Sequence, residues 1–335
     1  MTDPVQIINA LSAPTVKLLD MVGNAIGTMY EPRHKRKMAD ATAYEISVIG
    51  DAMRNAADMP VVYNQDGVAI NSEDFSRLMQ RAGTRLVLQE TMKQHNIESV
   101  VDNAYEILEK EESCSTEPVE QGWANRFFDS VADVSDEDLQ KIWGEILASE
   151  IKRPKSFSLR TLETVRNLSK EEAEAFQKLI PLIFSYKDIL FVSSENEILL
   201  KNGSSFSAIL TLDECGLVNS SGTLSLNLKV TKNKSEFIFT DEVLIAFNDN
   251  SDDEVKVSIG IHTLTKAGRE LYSVLSHSTN VEYVKEVAQH IFEDNKKIEK
   301  VAVHKLYSLT TTSEGSHFTY KEEPEVFFDR ENKTK

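Results

Sequence analysis

Asp241 and the triplet Glu254-Val255-Lys256 come nearest, in type and order, to a set of residues that could do chemistry. Two carboxylates brought together could hold Mg2+, and a lysine beside them could orient or activate a water for phosphodiester cleavage. The pattern is short. Acids next to lysines are common on exposed strands, so a solvated strand face is the plainer reading. The neighbouring run Asp249-Asn250-Ser251-Asp252-Asp253 has the acids of a calcium loop. It lacks the glycine at the sixth position and the glutamate at the twelfth, and reads as a hairpin turn.

Other catalytic signatures are missing. The seven histidines are scattered, without H-E-x-x-H or another ligand spacing, and neither a phosphate-binding G-x-x-x-x-G-K-[ST] loop nor G-x-S-x-G occurs. Cys114 and Cys215 stand far apart with no CxxC, which fits a reducing cytoplasm and argues against zinc. No cofactor is implied. The formal charge of −17 disfavours nonspecific contact with phosphates, so a nucleic-acid partner is disfavoured. No basic leader followed by an apolar run stands at the N-terminus, and no apolar run is long enough to span a bilayer.

These residues need elements to position them, and the second half reads as strands and helices in alternation. Short strands are expected at Ile189–Val192 and Glu197–Leu200. Helix Ser207–Cys215 should end at Gly216 in a Schellman turn, with Leu217 packing back on Leu212. Leu224, Leu226, Leu228 and Val230 alternate as a half-buried strand does. Strands at 236–239, 243–247 and 255–261, a helix capped by Thr265, a helix from Val281 and a last strand at 301–309 follow. A helix followed by alternating strands resembles the helix and wing of winged-helix domains, which read DNA with that helix. Here the helix carries Asp213 and Glu214 and no basic residue, which points to protein contacts instead.

The first half is helical. Residues 4–30 form an amphipathic segment followed by Pro32 and the basic run Arg33, His34, Lys35, Arg36 and Lys37. Packing within its own domain is the plainer reading; peripheral contact of 4–37 with an anionic membrane is the other. Helices are expected from Lys37 to about Met59, from a cap at Ser72 with Phe75, Leu78, Met79, Ala82 and Leu86 on one face, and from a cap at Asn96. Trp123 and Trp143 read as core or interface anchors.

Residues 133–183 read most clearly. Ser135 with Asp138 and Ser169 with Glu172 have capping-box spacing, Ser158 can cap a short helix between them, and Pro154 stops the first helix. The run F-F-D-x-x-x-D-V-S-D-E-x-L-Q-x-x-W-x-x-I-L-A-x-E-I-x-x-P-x-S-F-S-L-R-T-L-x-x-x-x-N-L-S-x-E-E-A-x-x-F, Phe127 to Phe176, resembles a bacterial family known only as a domain of unknown function. Ala25-Ile26-Gly27 through Tyr30-Glu31-Pro32-Arg33 resembles that family's N-terminal signature. The resemblance supplies no catalytic residues. Similar helical segments occur in proteins suspected of abortive infection against phage, which implies a setting and not a mechanism.

The expected fold is mainly α in the N-terminal half with an α+β, winged-helix-like C-terminal domain. The division expected is a helical region at 1–112, a linker at 113–121, a central helical domain at 122–185, an α+β domain at 186–309 and a disordered tail at 310–335. The expected function is a non-enzymatic cytoplasmic interaction protein that assembles with itself or another protein, set in anti-phage defence. The interaction candidates are Arg33, Lys35, Arg36, Lys37, Trp123 and Trp143. The alternatives are a restriction-type, metal-dependent nuclease using Asp241, Glu254 and Lys256, and a winged-helix nucleic-acid binder or membrane-surface protein.

Overall fold

A computed structural model describes residues 12–26, 72–222, 224–275, 278–312 and 315–330. The chain divides into two compact units, 1–159 and 160–335. The division falls inside the stretch 122–185 that the sequence suggests is one helical domain. No helix among the described residues is long and apolar enough to cross a membrane.

The described elements of the first unit are helices: α1 (Ala13–Ile26), α2 (Ser72–Leu108), α3 (Gln121–Val131) and α4 (Glu137–Lys152). Their core is aromatic. Phe127 stacks on Trp123 with centroids 5.1 Å apart and meets Trp143 edge-on at 5.4 Å. Helix α4 starts one residue later than expected: Asp136, not Ser135, is the cap, its carboxylate accepting from the amides of Asp138 and Leu139. Its negative charge at the helix start makes it an equally good cap. The helix break expected at Asn96 does not occur, and α2 runs unbroken for 37 residues. Asn96 is buried and donates to the Ala132 carbonyl at 2.8 Å, so a tertiary partner takes the side chain that capping would have used. Gly144 lets α4 approach α2 closely, since a Cβ there would lie 2.6 Å from Asn103 Cβ.

The second unit opens with α5 (Leu159–Arg166), at the boundary, and α6 (Lys170–Leu179). Ser169 and Glu172 form the capping box that their spacing predicts. A 3-10 turn at Ile180–Leu182 leads into β1 (Phe184–Tyr186) and β2 (Ile189–Ser193). Then come α7 (Asn196–Lys201), α8 (Phe206–Glu214), β3 (Val218–Asn219), β4 (Ser225–Val230), β5 (Glu236–Phe239), β6 (Val243–Asn248) and β7 (Val255–Leu264). The unit ends with α9 (Lys266–Tyr272), α10 (Val281–Asp294), β8 (Lys300–Thr312), β9 (Gly315–Tyr320) and β10 (Val326–Asp329). Gly216 takes a φ of 74°, and Leu217 donates to the Leu212 carbonyl at 2.9 Å, completing the Schellman turn.

The winged-helix expectation is overturned. The strands form one ten-stranded sheet among the described residues, in the order β10-β8-β6-β5-β1-β2-β7-β3, with β4 added on β7 and β9 on β8. Every pairing is antiparallel. The strands after α8 are therefore members of a large sheet and not a two-stranded wing. Helix α10 covers one face of it with Tyr283, Val284, Val287 and Ile291. Two local expectations also fail. Residues 197–200 are helical, because only Leu199 of that apolar run is buried and a single turn suffices to bury it. The tail expected to be disordered from Thr310 instead supplies the end of β8 and the strands β9 and β10, both paired antiparallel with β8.

Candidate functional site

The sequence places candidate chemistry at Asp241, Glu254 and Lys256. Glu254 accepts an ion pair from Lys229 on the neighbouring strand at 3.0 Å, and Lys256 lies directly across from Lys229 in the β4–β7 register. That end of the sheet also holds Ser251, whose carbonyl accepts from the Lys232 amide. Asp241 lies in the turn at the opposite end of the β5–β6 hairpin. The hairpin's length, roughly 15–20 Å at about 3.3 Å per residue, separates it from Glu254. Two ligands of one metal ion must each lie within about 2–2.6 Å of it, so these acids are not brought together. Among the described residues no cluster of His, Cys, Asp and Glu could hold a metal.

The Asp249–Asp253 run is a turn, as its spacing suggests. Asp249 accepts from the amides of Ser251 and Glu299. Trp123 and Trp143 are 4% and 1% exposed, and Trp123 donates its indole N–H to the Phe157 carbonyl at 2.9 Å. Both are core residues of the first unit and not surface anchors. Arg33, Lys35, Arg36 and Lys37 lie outside the described residues, as do the expected helix 37–59 and most of the amphipathic segment 4–30 beyond α1.

Among the described histidines, His262 is the one whose surroundings shift its titration. It faces Val192 in the β2–β7 pairing, is 4% exposed, and neither ring nitrogen has a hydrogen-bond partner. Burial pushes its pKa below the ordinary value, with Asp213 pulling weakly the other way. The ring is held neutral, which suits a core residue better than a proton donor. Below about pH 6.5 the unfolded chain takes up a proton that the folded chain resists, so stability is full above that pH and declines below it. The melting temperature should therefore fall between pH 7.5 and 5.5, and should fall less in His262→Phe. An equal fall in both would remove His262 as the cause.

The surface feature that stands out is the first half of α2. Leu78, Met79, Leu86, Leu88 and Met92 are each more than half exposed. A folded domain rarely leaves so many large apolar side chains together in water. At about 100° per residue they fall into two groups. Leu78, Met79 and Leu86 line one face around Ala82. Leu88 and Met92 lie about a third of a turn away, on the same side as Arg77, Arg81 and Arg85. The sequence shows the periodicity of the first group but not that the face is left uncovered, and four-residue spacing was the available signal for the arginines.

A cleft of about 480 Å3 lies in the first unit, with Glu90, Lys93 and Gln94 of α2 facing Asp129 and Asp133 across Phe128. Lys93 donates to Glu90 at 3.0 Å, and that carboxylate holds the ammonium above its ordinary pKa. Three carboxylates line it against the one ammonium of Lys93, so the lining is acidic, and an acidic lining alone identifies no ligand.

No curated protein and no solved structure matches the chain. A sequence profile of the family described as "Protein of unknown function (DUF2806)" matches residues 80–288, from the middle of the exposed half of α2 through most of α10. That span is more than half of the 335 residues and crosses both units. The chain belongs to the DUF2806 family of proteins of unknown function.

Proposed function

We propose that this chain is a non-enzymatic, cytoplasmic interaction protein that assembles with a second copy of itself through the Leu78–Leu86 face of α2. The observation that carries the reading is the exposure of Leu78, Met79 and Leu86 on one face of a long helix. The face suits a copy of itself. Two such helices crossing antiparallel at the small pair Ala82–Gly83 would set Leu78 and Met79 of one against Leu86 of the other, an isologous contact. Small residues at the crossing allow close approach, and burying each large apolar side chain contributes about 1.5–3 kcal/mol. Both cysteines are free, which is consistent with a reducing compartment. The setting in anti-phage defence rests on the sequence resemblance alone, and plating efficiency on cells with and without the protein tests it.

Light scattering of the full chain tests the assembly. A defined oligomer at micromolar concentration is expected, and Leu78→Glu with Leu86→Glu should weaken association more than a hundredfold, because carboxylates would be buried against apolar groups. Circular dichroism should be unchanged, since these side chains are exposed within one chain. A wild-type monomer would sink the proposal.

A further inference from the structure

The second exposed group on α2 concerns a different face and does not depend on the assembly reading. Arg77, Arg81, Arg85, Leu88 and Met92 fall within about 80° of one another around the helix. They run along roughly 22 Å of it at 1.5 Å per residue. All five are exposed. Among the described residues no ion pair or hydrogen bond engages the three guanidinium groups. This is unusual in a chain with 54 acidic and 37 basic residues, where a cation usually finds a carboxylate. The one acid between Arg77 and Met92 is Glu90, about half a turn away, and it is paired with Lys93. Glu73 and Asp74 precede Arg77 in the same helix.

From this geometry we infer that the Arg77–Met92 face binds the anionic surface of a lipid bilayer. The mixture of groups carries the choice. Three guanidinium groups match a field of anionic headgroups, while Leu88 and Met92, 59% and 63% exposed, gain by entering the headgroup–acyl boundary. A nucleic acid would use the arginines but give the two apolar side chains nothing. No aromatic side chain lies between Arg77 and Met92 for bases to stack on. The helix would lie along the surface without crossing it, as interfacial helices do.

Flotation of the full-length protein with phosphatidylcholine vesicles containing 30% phosphatidylserine, at 0.1 M salt, tests the inference. Binding is expected to these vesicles and not to pure phosphatidylcholine. Each arginine near such a surface contributes about fivefold in partitioning, so Arg77→Gln, Arg81→Gln and Arg85→Gln together should lower it about a hundredfold. Leu88→Ser with Met92→Ser should weaken it further, an effect that charge alone does not produce. The arginine variant should keep its mass by light scattering, so a failure here is distinguishable from a failure of the assembly reading. Absence of binding to the anionic vesicles would overturn the inference. So would full binding by the triple variant, which would move the contact elsewhere on the chain. Tighter binding to a single-stranded oligonucleotide than to vesicles, lost in the triple variant, would reassign the arginines to phosphates of a nucleic acid.

Discussion

A chain cut after Leu309 should fail to fold its second unit, although the lost residues look dispensable in sequence. The cut removes β9 and β10 and the last residues of β8. Phe318 of β9 packs on Phe237 and Phe239 of β5, with centroids 4.9 Å away in each case. β8 and β6 separate β9 from β5 in the strand order, so this is a contact between strands that are not neighbours. It helps close a small core of Phe239, Leu244, Ala246 and Leu306. Beyond β10, Arg330 caps the end of α10. Its guanidinium donates to the carbonyls of Phe292, Ile298 and Asn295 and sits over the Phe292 ring at 4.2 Å. Phe328 stacks on the same ring at 5.6 Å. Phe318 and Phe328 are half-buried, so each contributes about half of the 1.5–3 kcal/mol of a fully buried side chain, and the bonds of the part-exposed Arg330 guanidinium together contribute about 2–4 kcal/mol. The loss is comparable to the whole stability of a domain, about 5–15 kcal/mol. The expected result is an aggregated or proteolysed product, against a folded full chain with a cooperative melt. Arg330→Ala alone should lower stability by roughly 2–4 kcal/mol. A truncated chain with an unchanged melt would mean that β9 and β10 contribute little to the unit's stability.

The tail also shows where sequence reasoning stops. Its composition is polar and its anchors are few, and each anchor works through a partner far away in the chain: Phe318 through β5, and Phe328 and Arg330 through α10. Local signals were legible where the interaction itself is local. The Ser169–Glu172 capping box, the Schellman turn at Gly216, the Thr265 cap and the alternation in β4 all lie within a few residues. Strand order is not local. Nothing in the residues of β1 says that it lies between β5 and β2, so a helix followed by alternating strands was compatible with a wing and with a wide sheet. Asn96 shows the same competition in one residue: its type favours a cap, and a carbonyl 36 positions away takes it instead. For the candidate site, the four-residue spacing of Arg77, Arg81 and Arg85 and the stripe through Leu86 could be read directly. Periodicity marks an apolar face but not what covers it, and the structure leaves Leu78, Met79 and Leu86 exposed within one chain.

Glu150→Ala should be a strongly damaging substitution in the first unit, although it removes no apolar side chain. The carboxylate is 2% exposed, near the end of α4. Its oxygens accept from the amides of Lys155 at 2.6 Å and Phe157 at 3.0 Å, so one buried anion organises the loop that leaves the helix at Pro154. That loop holds Lys155 at a φ of 71°, a conformation that a residue with a Cβ adopts only when its surroundings enforce it. It also buries Phe157, whose carbonyl accepts the Trp123 indole N–H, and Trp123 stacks on Phe127 in the core. With alanine, two amides lose their acceptor while the loop loses its reason for the left-handed turn. Leaving buried donors unpaired costs about 1–3 kcal/mol each, for an expected loss of roughly 2–5 kcal/mol. Glu150→Gln should lose less, because one amide keeps an acceptor while the other meets an NH2 group. Chemical unfolding followed by Trp fluorescence reads both effects, since the indole of Trp123 reports on the loop it is bonded to. A Glu150→Ala midpoint within error of wild type would mean that water replaces the carboxylate and that the packing of Phe157 alone fixes the loop.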